Sequence, residues 1–151
     1  MAVTPEIIAG YFEQYGWSYE RVNETDFRTG FRGDVSLFRI TVRIAGEWVY
    51  FSISPFVIAP QDPECERKLH RHLLKLNHEI NMAKFTVDED GDVILTVELP
   101  GESLDYSEFS DALGALSYYA DDSYAQVFIL AQVLDAHHIY EERDDLNWGN
   151  E

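Results

Sequence analysis

The sequence predicts an α+β fold, an antiparallel sheet of two hairpins with one short extra strand, packed with helices in the order α-β-β-β-α-β-β-α. Three observations carry this assignment. Apolar and polar residues alternate through residues 35–54 and again through 85–99, and a glycine turn interrupts each run. Stretches opening at Thr4-Pro5, Asp62-Pro63 and Asp105 place apolar residues at helical spacing. A chain of 151 residues that is 46% hydrophobic and 14% aromatic can close one sizeable core, so residues 1–151 are read as a single domain.

The first helix begins where Thr4 can cap and Pro5 needs no hydrogen-bond partner for its missing N–H. Ile7, Ile8, Tyr11, Phe12 and Tyr15 form its apolar face, and Gly16 suits its end. Residues 17–22 supply the short extended segment. Residues 23–33, polar and punctuated by glycine, read as an irregular approach to the sheet. In the first hairpin Phe38, Ile40, Val42 and Ile44 alternate with polar residues. A turn at Ala45-Gly46 pairs Val42 with Val49, Ile40 with Phe51 and Phe38 with Ile53. The opposite face then carries Trp48 across from Arg43 and Tyr50 across from Thr41.

Pro55, Pro60 and Pro63 punctuate the connector to the second helix, whose stripe is Leu69, Leu73, Leu76 and Ile80. That stripe suits either the core or a dimer interface. In the second hairpin, a three-residue turn over Asp90-Gly91-Asp92 pairs Val87 with Leu95 and Phe85 with Val97, with Gly91 at positive φ. Asp105 and Glu108 have capping-box spacing, and Phe109, Leu113, Leu116 and Ala120 follow on one face. With no Pro or Gly between Ala115 and Trp148, the last helical region is one long helix or two with a bend at Asp121-Asp122. Residues 141–151 read as a frayed acidic tail.

Composition limits the chemistry. A net charge of -17 disfavours nucleic acid and anionic membrane surfaces as partners. A lone cysteine, Cys65, excludes an internal disulfide and any CxxC pair, which fits a reducing cytoplasm. The N-terminus has no signal-peptide pattern, and no apolar run reaches membrane-spanning length.

Candidate sites are weak. His70, His72 and His78 lack the three- or four-residue spacing of helical zinc ligands, and His137-His138 are adjacent. Asp88, Asp90 and Asp92 match the first, third and fifth positions of a calcium loop, but Val93 and Leu99 fill its glycine and glutamate positions. Cys65 lies near a helix start without a catalytic companion. Catalytic residues, metal ligands and cofactors are accordingly expected to be none. Arg67, Lys68, Arg71 and Lys75 make a basic helix face, read as solvated or as a docking surface for an acidic segment or a second copy.

From the leucine-rich helix ending in Leu76-Asn77, through Phe85, the acidic turn at Gly91, Leu99-Pro100, Leu104-Asp105 and the helix bearing Phe109 to Ala120, the chain resembles the YbjN-like (bacterial sensory transduction regulator) family. The resemblance spans roughly residues 35–130 by these alternation and helix patterns. It implies a type III secretion chaperone-like fold, a non-enzymatic role and homodimerisation. The expectation is a cytoplasmic protein-binding module, chaperone-like or regulatory, that docks extended protein segments. Tyr11, Tyr15, Trp48 and Tyr50 are the candidate binding surface, and Leu69, Leu73, Leu76 and Ile80 mark the candidate dimer helix. The alternatives are a small enzyme or ligand-binding protein using carboxylates or Cys65, and a structural subunit of a larger assembly.

Overall fold

The computed structural model describes residues 2–132. Three helices and six strands follow the order α1 (Pro5–Tyr15), β1 (Glu20–Arg21), β2 (Asp26–Arg32), β3 (Leu37–Ala45), β4 (Trp48–Val57), α2 (Pro63–Glu79), β5 (Lys84–Val87), β6 (Val93–Pro100) and α3 (Tyr106–Ala131). The strands form one antiparallel sheet in the order β1-β2-β3-β4-β6-β5. The predicted α+β class holds, and the order gains one strand. The expected tail at 141–151, His137-His138 and Leu134 lie outside the described residues.

Local signals set the helix ends. The Thr4 hydroxyl accepts the Ile7 N–H at 3.2 Å, and Gly16 closes α1 at φ 89°. Asp62 caps α2 by accepting the Cys65 N–H at 3.2 Å. At α3, Asp105 accepts the Glu108 N–H at 2.8 Å, and Glu108 accepts the Asp105 N–H at 3.2 Å, a complete capping box. The helix then runs unbroken through Asp121-Asp122 to Ala131.

The segment read as an irregular approach is strand β2. Phe27 and Phe31 sit on the core side, with Arg28 and Arg32 facing outward. Its polar composition hides a period of two, because each core-facing position is flanked by a charged or polar residue. Gly30 is needed for a close approach, since a β-carbon there would meet the Phe38 carbonyl oxygen at 2.8 Å. The turn that follows is tied to α3, where the Asp121 carboxylate accepts the Asp34 N–H at 2.8 Å.

Both hairpins close two residues away from their predicted registers. The first loop is Gly46-Glu47, which pairs Ala45 with Trp48, Arg43 with Tyr50 and Val42 with Phe51. A tight turn with positive φ only at its first loop residue needs glycine there, and Gly46 has φ 59°. The second loop spans residues 88–92, so Val87 pairs with Val93 and Phe85 with Leu95. Asp88 explains the longer loop. Its carboxylate accepts the N–H groups of Asp90 and Asp92 at 2.9 and 3.0 Å, while its own N–H donates to the Asp92 carbonyl at 3.0 Å and closes the loop. A shift of two preserves which face each residue occupies, so the predicted core positions survive the register error.

All three helices pack on one face of the sheet. Ile8 and Phe12 of α1, Leu69 and Leu73 of α2, and Phe109, Leu113 and Leu116 of α3 share a core with Phe27, Ile40, Val42, Phe51, Leu95 and Val97. Aromatic rings bridge the layers, with Phe12–Phe27 and Phe51–Phe109 centroids at 5.8 and 5.7 Å.

On the other face, Asp26 accepts Nε and Nη2 of Arg43 at 3.0 and 2.8 Å. The Arg43 bond, helped by Thr25, holds the Asp26 carboxyl below its ordinary range. A depressed folded-state pKa contributes stability above the unfolded carboxyl's pKa and loses it as pH falls through the folded value. Arg43 is 57% exposed, so screening keeps the pair to no more than about 1 kcal/mol. Asp26→Asn should remove this contribution at neutral pH and flatten the acid limb of stability; urea midpoints across acidic pH that match wild type would disprove it.

Candidate interaction surface

The face opposite the helices is built by the outward positions of every strand. Along β3 these are Leu37, Arg39, Thr41, Arg43 and Ala45; along β4 they are Trp48, Tyr50, Ser52 and Ser54. On β6, Thr96 and Glu98 stand beside Ser52 and Tyr50. Trp48 is 45% exposed, held between Ala45 and Pro100. Tyr50 is half-buried between Arg43 and Glu98. Ser52 and Thr96 share a hydrogen bond at 3.2 Å, and Lys84 crosses to Glu98 at 3.0 Å. Between them lies an open depression of about 460 Å³ lined by Thr41, Arg43, Tyr50, Ser52 and Ile94. Such a surface offers flat aromatic area, hydroxyls and fixed charges, a set suited to polypeptide contacts.

The other predicted surface residues lie elsewhere. Tyr11 and Tyr15 are half-buried in the helical layer and do not join Trp48 and Tyr50. The Tyr11 hydroxyl donates to the Leu104 carbonyl at 2.9 Å, and its ring meets Tyr106 and Phe109. Tyr15 packs edge-on against Trp17 at 5.0 Å, and burial raises its pKa. The helical stripe divides in two. Leu69 and Leu73 are buried in this chain's own core, whereas Leu76 and Ile80 are half-buried. The solvent side of α2 instead presents Leu74, 71% exposed, a position the stripe skips.

Two features weighed as chemistry are engaged structurally. Cys65 is buried, and its Sγ donates to the Asp62 carboxylate at 3.2 Å. The carboxylates of Asp88, Asp90 and Asp92 gather within 4.8 Å. Those of Asp88 and Asp92 accept backbone N–H groups, Asp92 from Ala59 at 2.8 Å. The sequence reading missed Arg28 and Arg32 as part of the open face, because residues 23–33 were not assigned to a strand. The alternation of Phe27, Thr29 and Phe31 was the available signal.

The family model described as a putative bacterial sensory transduction regulator matches residues 4–128, most of the chain and both sheet faces. The chain belongs to the YbjN family. The fold agrees. YbjN of E. coli, described as a putative transcription regulator, is similar over 83% of this chain and 96% of its own, with 14% identity and a TM-score of 0.61. The ExoU–SpcU heterodimeric complex of the Pseudomonas aeruginosa type III secretion system matches over 82% and 96%, with 17% identity and a TM-score of 0.55. The HopA1–SchA chaperone–effector complex matches over 76% and 88%, with 13% identity and a TM-score of 0.53. This YbjN-family chain therefore has the type III secretion chaperone-like fold. Comparison with curated proteins gives no match. Among the described residues, no helix is long and apolar enough to cross a membrane.

Proposed function

We propose that this YbjN-family chain is a non-enzymatic protein-binding module, chaperone-like or regulatory, that docks extended protein segments in the cytoplasm as a homodimer. One observation carries the reading: the helices cover a single face of the sheet and leave Trp48 and Tyr50 on the other. An exposed tryptophan beside a tyrosine supplies a large contact area with few rotors to fix, which favours binding. The chaperone–effector complex with the same fold supports a protein partner. The buried, hydrogen-bonded Cys65 supports a role without a thiol nucleophile. The net charge of -17 works against nucleic acid and anionic membranes. For the dimer, α2 is the candidate helix and Leu74 its exposed apolar position, since Leu69 and Leu73 are buried in the core and Leu76 and Ile80 pack against it.

The test is retention on an immobilised array of unstructured peptides. Trp48→Ala with Tyr50→Ala should keep the wild-type circular dichroism spectrum and lose at least about tenfold in affinity, the effect of one or two aromatic anchors. A folded double variant with unchanged retention would sink the assignment of this face. Light scattering should give twice the chain mass of 17.4 kDa, and a value at the chain mass would end the dimer.

A further inference from the structure

The open face differs in charge from the rest of the molecule. The chain has 11 basic and 28 acidic side chains. Five of the basic ones, Arg28, Arg32, Arg39, Arg43 and Lys84, stand on this face by strand register. Only three of the acids, Glu20, Asp26 and Glu98, accompany them there. Two of the cations are used internally, Arg43 on Asp26 and Lys84 on Glu98. Arg28, Arg32 and Arg39 are exposed and enter no ion pair or side-chain hydrogen bond among the described residues. Glu20 stands across the ladder from Arg28 yet makes no ion pair with it.

Register places the three arginines as a triangle. Arg28 and Arg32 lie on β2 either side of Gly30, about 13 Å apart at the rise of an extended strand. Arg39 on β3 is directly opposite Gly30. Gly30 has no side chain, so the space between Arg28 and Arg32, beside Arg39, is bare. Grouping like charges this closely costs stability unless an anion answers them. An extended chain repeats its same-side positions every ~6.6–7 Å, which matches the ~7–8 Å diagonal from Arg39 to either flanking arginine. From Arg39 along β3 to Ala45, the partner of Trp48, is about 20 Å, or six residues of extended chain. The depression lined by Thr41, Arg43 and Tyr50 lies between.

We propose that the open face selects acidic extended protein segments, with Arg28, Arg32 and Arg39 holding alternate carboxylates and Trp48 with Tyr50 holding an apolar residue about six positions away. This rests on the protein-binding reading of the same face and adds the chemistry of the partner. Guanidinium groups suit the role because they meet carboxylates in a planar two-point fork, as Arg43 does with Asp26 at 3.0 and 2.8 Å. The surrounding negative charge sharpens selection: segments that are acidic throughout are repelled, and those with a short acidic cluster opposite the triangle are retained.

Two labelled peptides test it against the full chain by fluorescence anisotropy. Both carry one tryptophan; one has three alternate glutamates six residues away, and the other has glutamine at those positions. The acidic peptide should bind at least about tenfold tighter at ~100 mM salt and lose that advantage at ~500 mM. Arg28→Glu with Arg39→Glu should abolish the difference, whereas Arg71→Glu on α2 should leave it intact. Trp48→Ala should weaken both peptides by the same factor. Equal binding of the two peptides, with Trp48 still required, overturns acid selection and leaves the protein-binding reading standing. Binding of neither peptide overturns both. Loss of selectivity through Arg71→Glu moves the site to α2 and overturns the assignment. A single-stranded oligonucleotide that displaces the acidic peptide overturns it in favour of nucleic acid. A dimer dissociated by the Arg28 and Arg39 changes overturns it in favour of a second copy.

Discussion

Replacing Phe109 by alanine is expected to remove about 3–5 kcal/mol of stability, the range for truncating a fully buried phenylalanine. Phe109 is completely buried and joins three elements at once. Its ring meets Phe12 of α1 edge-on at 5.0 Å and Phe51 of β4 at 5.7 Å, while Tyr11, Tyr15 and Tyr106 close the sides at 5.6, 6.2 and 6.4 Å. No single neighbour can swing in to fill the space, because Phe12, Tyr11, Tyr15 and Tyr106 are each packed against another ring and Phe51 is fixed in the buried centre of β4. The residual cavity therefore adds to the lost transfer energy. Phe109→Leu keeps most of the volume and should cost under half as much. Urea unfolding checks both, with the midpoint falling and the slope unchanged. A loss below about 2 kcal/mol for the alanine variant would show that α1 relaxes onto the sheet.

Asn77→Ala should remove about 2–3 kcal/mol, through hydrogen bonds rather than volume. Asn77, near the end of α2, accepts the Phe85 N–H at 2.8 Å and donates to the Phe85 carbonyl at 3.0 Å. Phe85 lies on the edge strand β5, and both groups point away from β6. The amide side chain thus takes the place of a neighbouring strand and blocks the sheet edge against pairing with another chain. Alanine leaves a donor and an acceptor unpaired beside a buried side chain. Asn77→Asp keeps an acceptor for the N–H but turns an acceptor toward the carbonyl, so it should destabilise as well. Hydrogen exchange should show the Phe85 amide losing protection in both variants. An amide that stays protected, with stability within about 0.5 kcal/mol of wild type, would remove Asn77 from this role.

Blocking that edge bears on function. With Phe85 occupied by Asn77, an extended partner finds no free pairing site at the middle of β5, which favours the proposed open face over this edge. On the β5 side, the proposed module therefore reads side chains laid across the sheet rather than backbone added at Phe85.

How much was legible in the sequence depended on the range of the interaction. Caps were legible because the groups involved are three residues apart: Thr4 with Ile7, Asp62 with Cys65, Asp105 with Glu108. Core faces were legible because a strand's side chains alternate whatever its register, so an error of two residues in each hairpin cost nothing. The family was legible in the loosely spaced apolar pattern ending in the capping box, and the family match extends it back to residue 4. Strand β2 was not, since its arginines and glycine match a polar loop until β3 is beside it.

The amino-acid order by itself determined the helix starts, the positive-φ turns and the two hydrophobic faces, because each is decided within a few bonds of chain. Only the tertiary structure decided that β4 pairs with β6, that Asn77 reaches β5, and that three arginines from β2 and β3 meet around Gly30. These depend on which distant segments share the sheet. That choice is made by burying one continuous apolar layer under the helices, and it leaves the charged face outside.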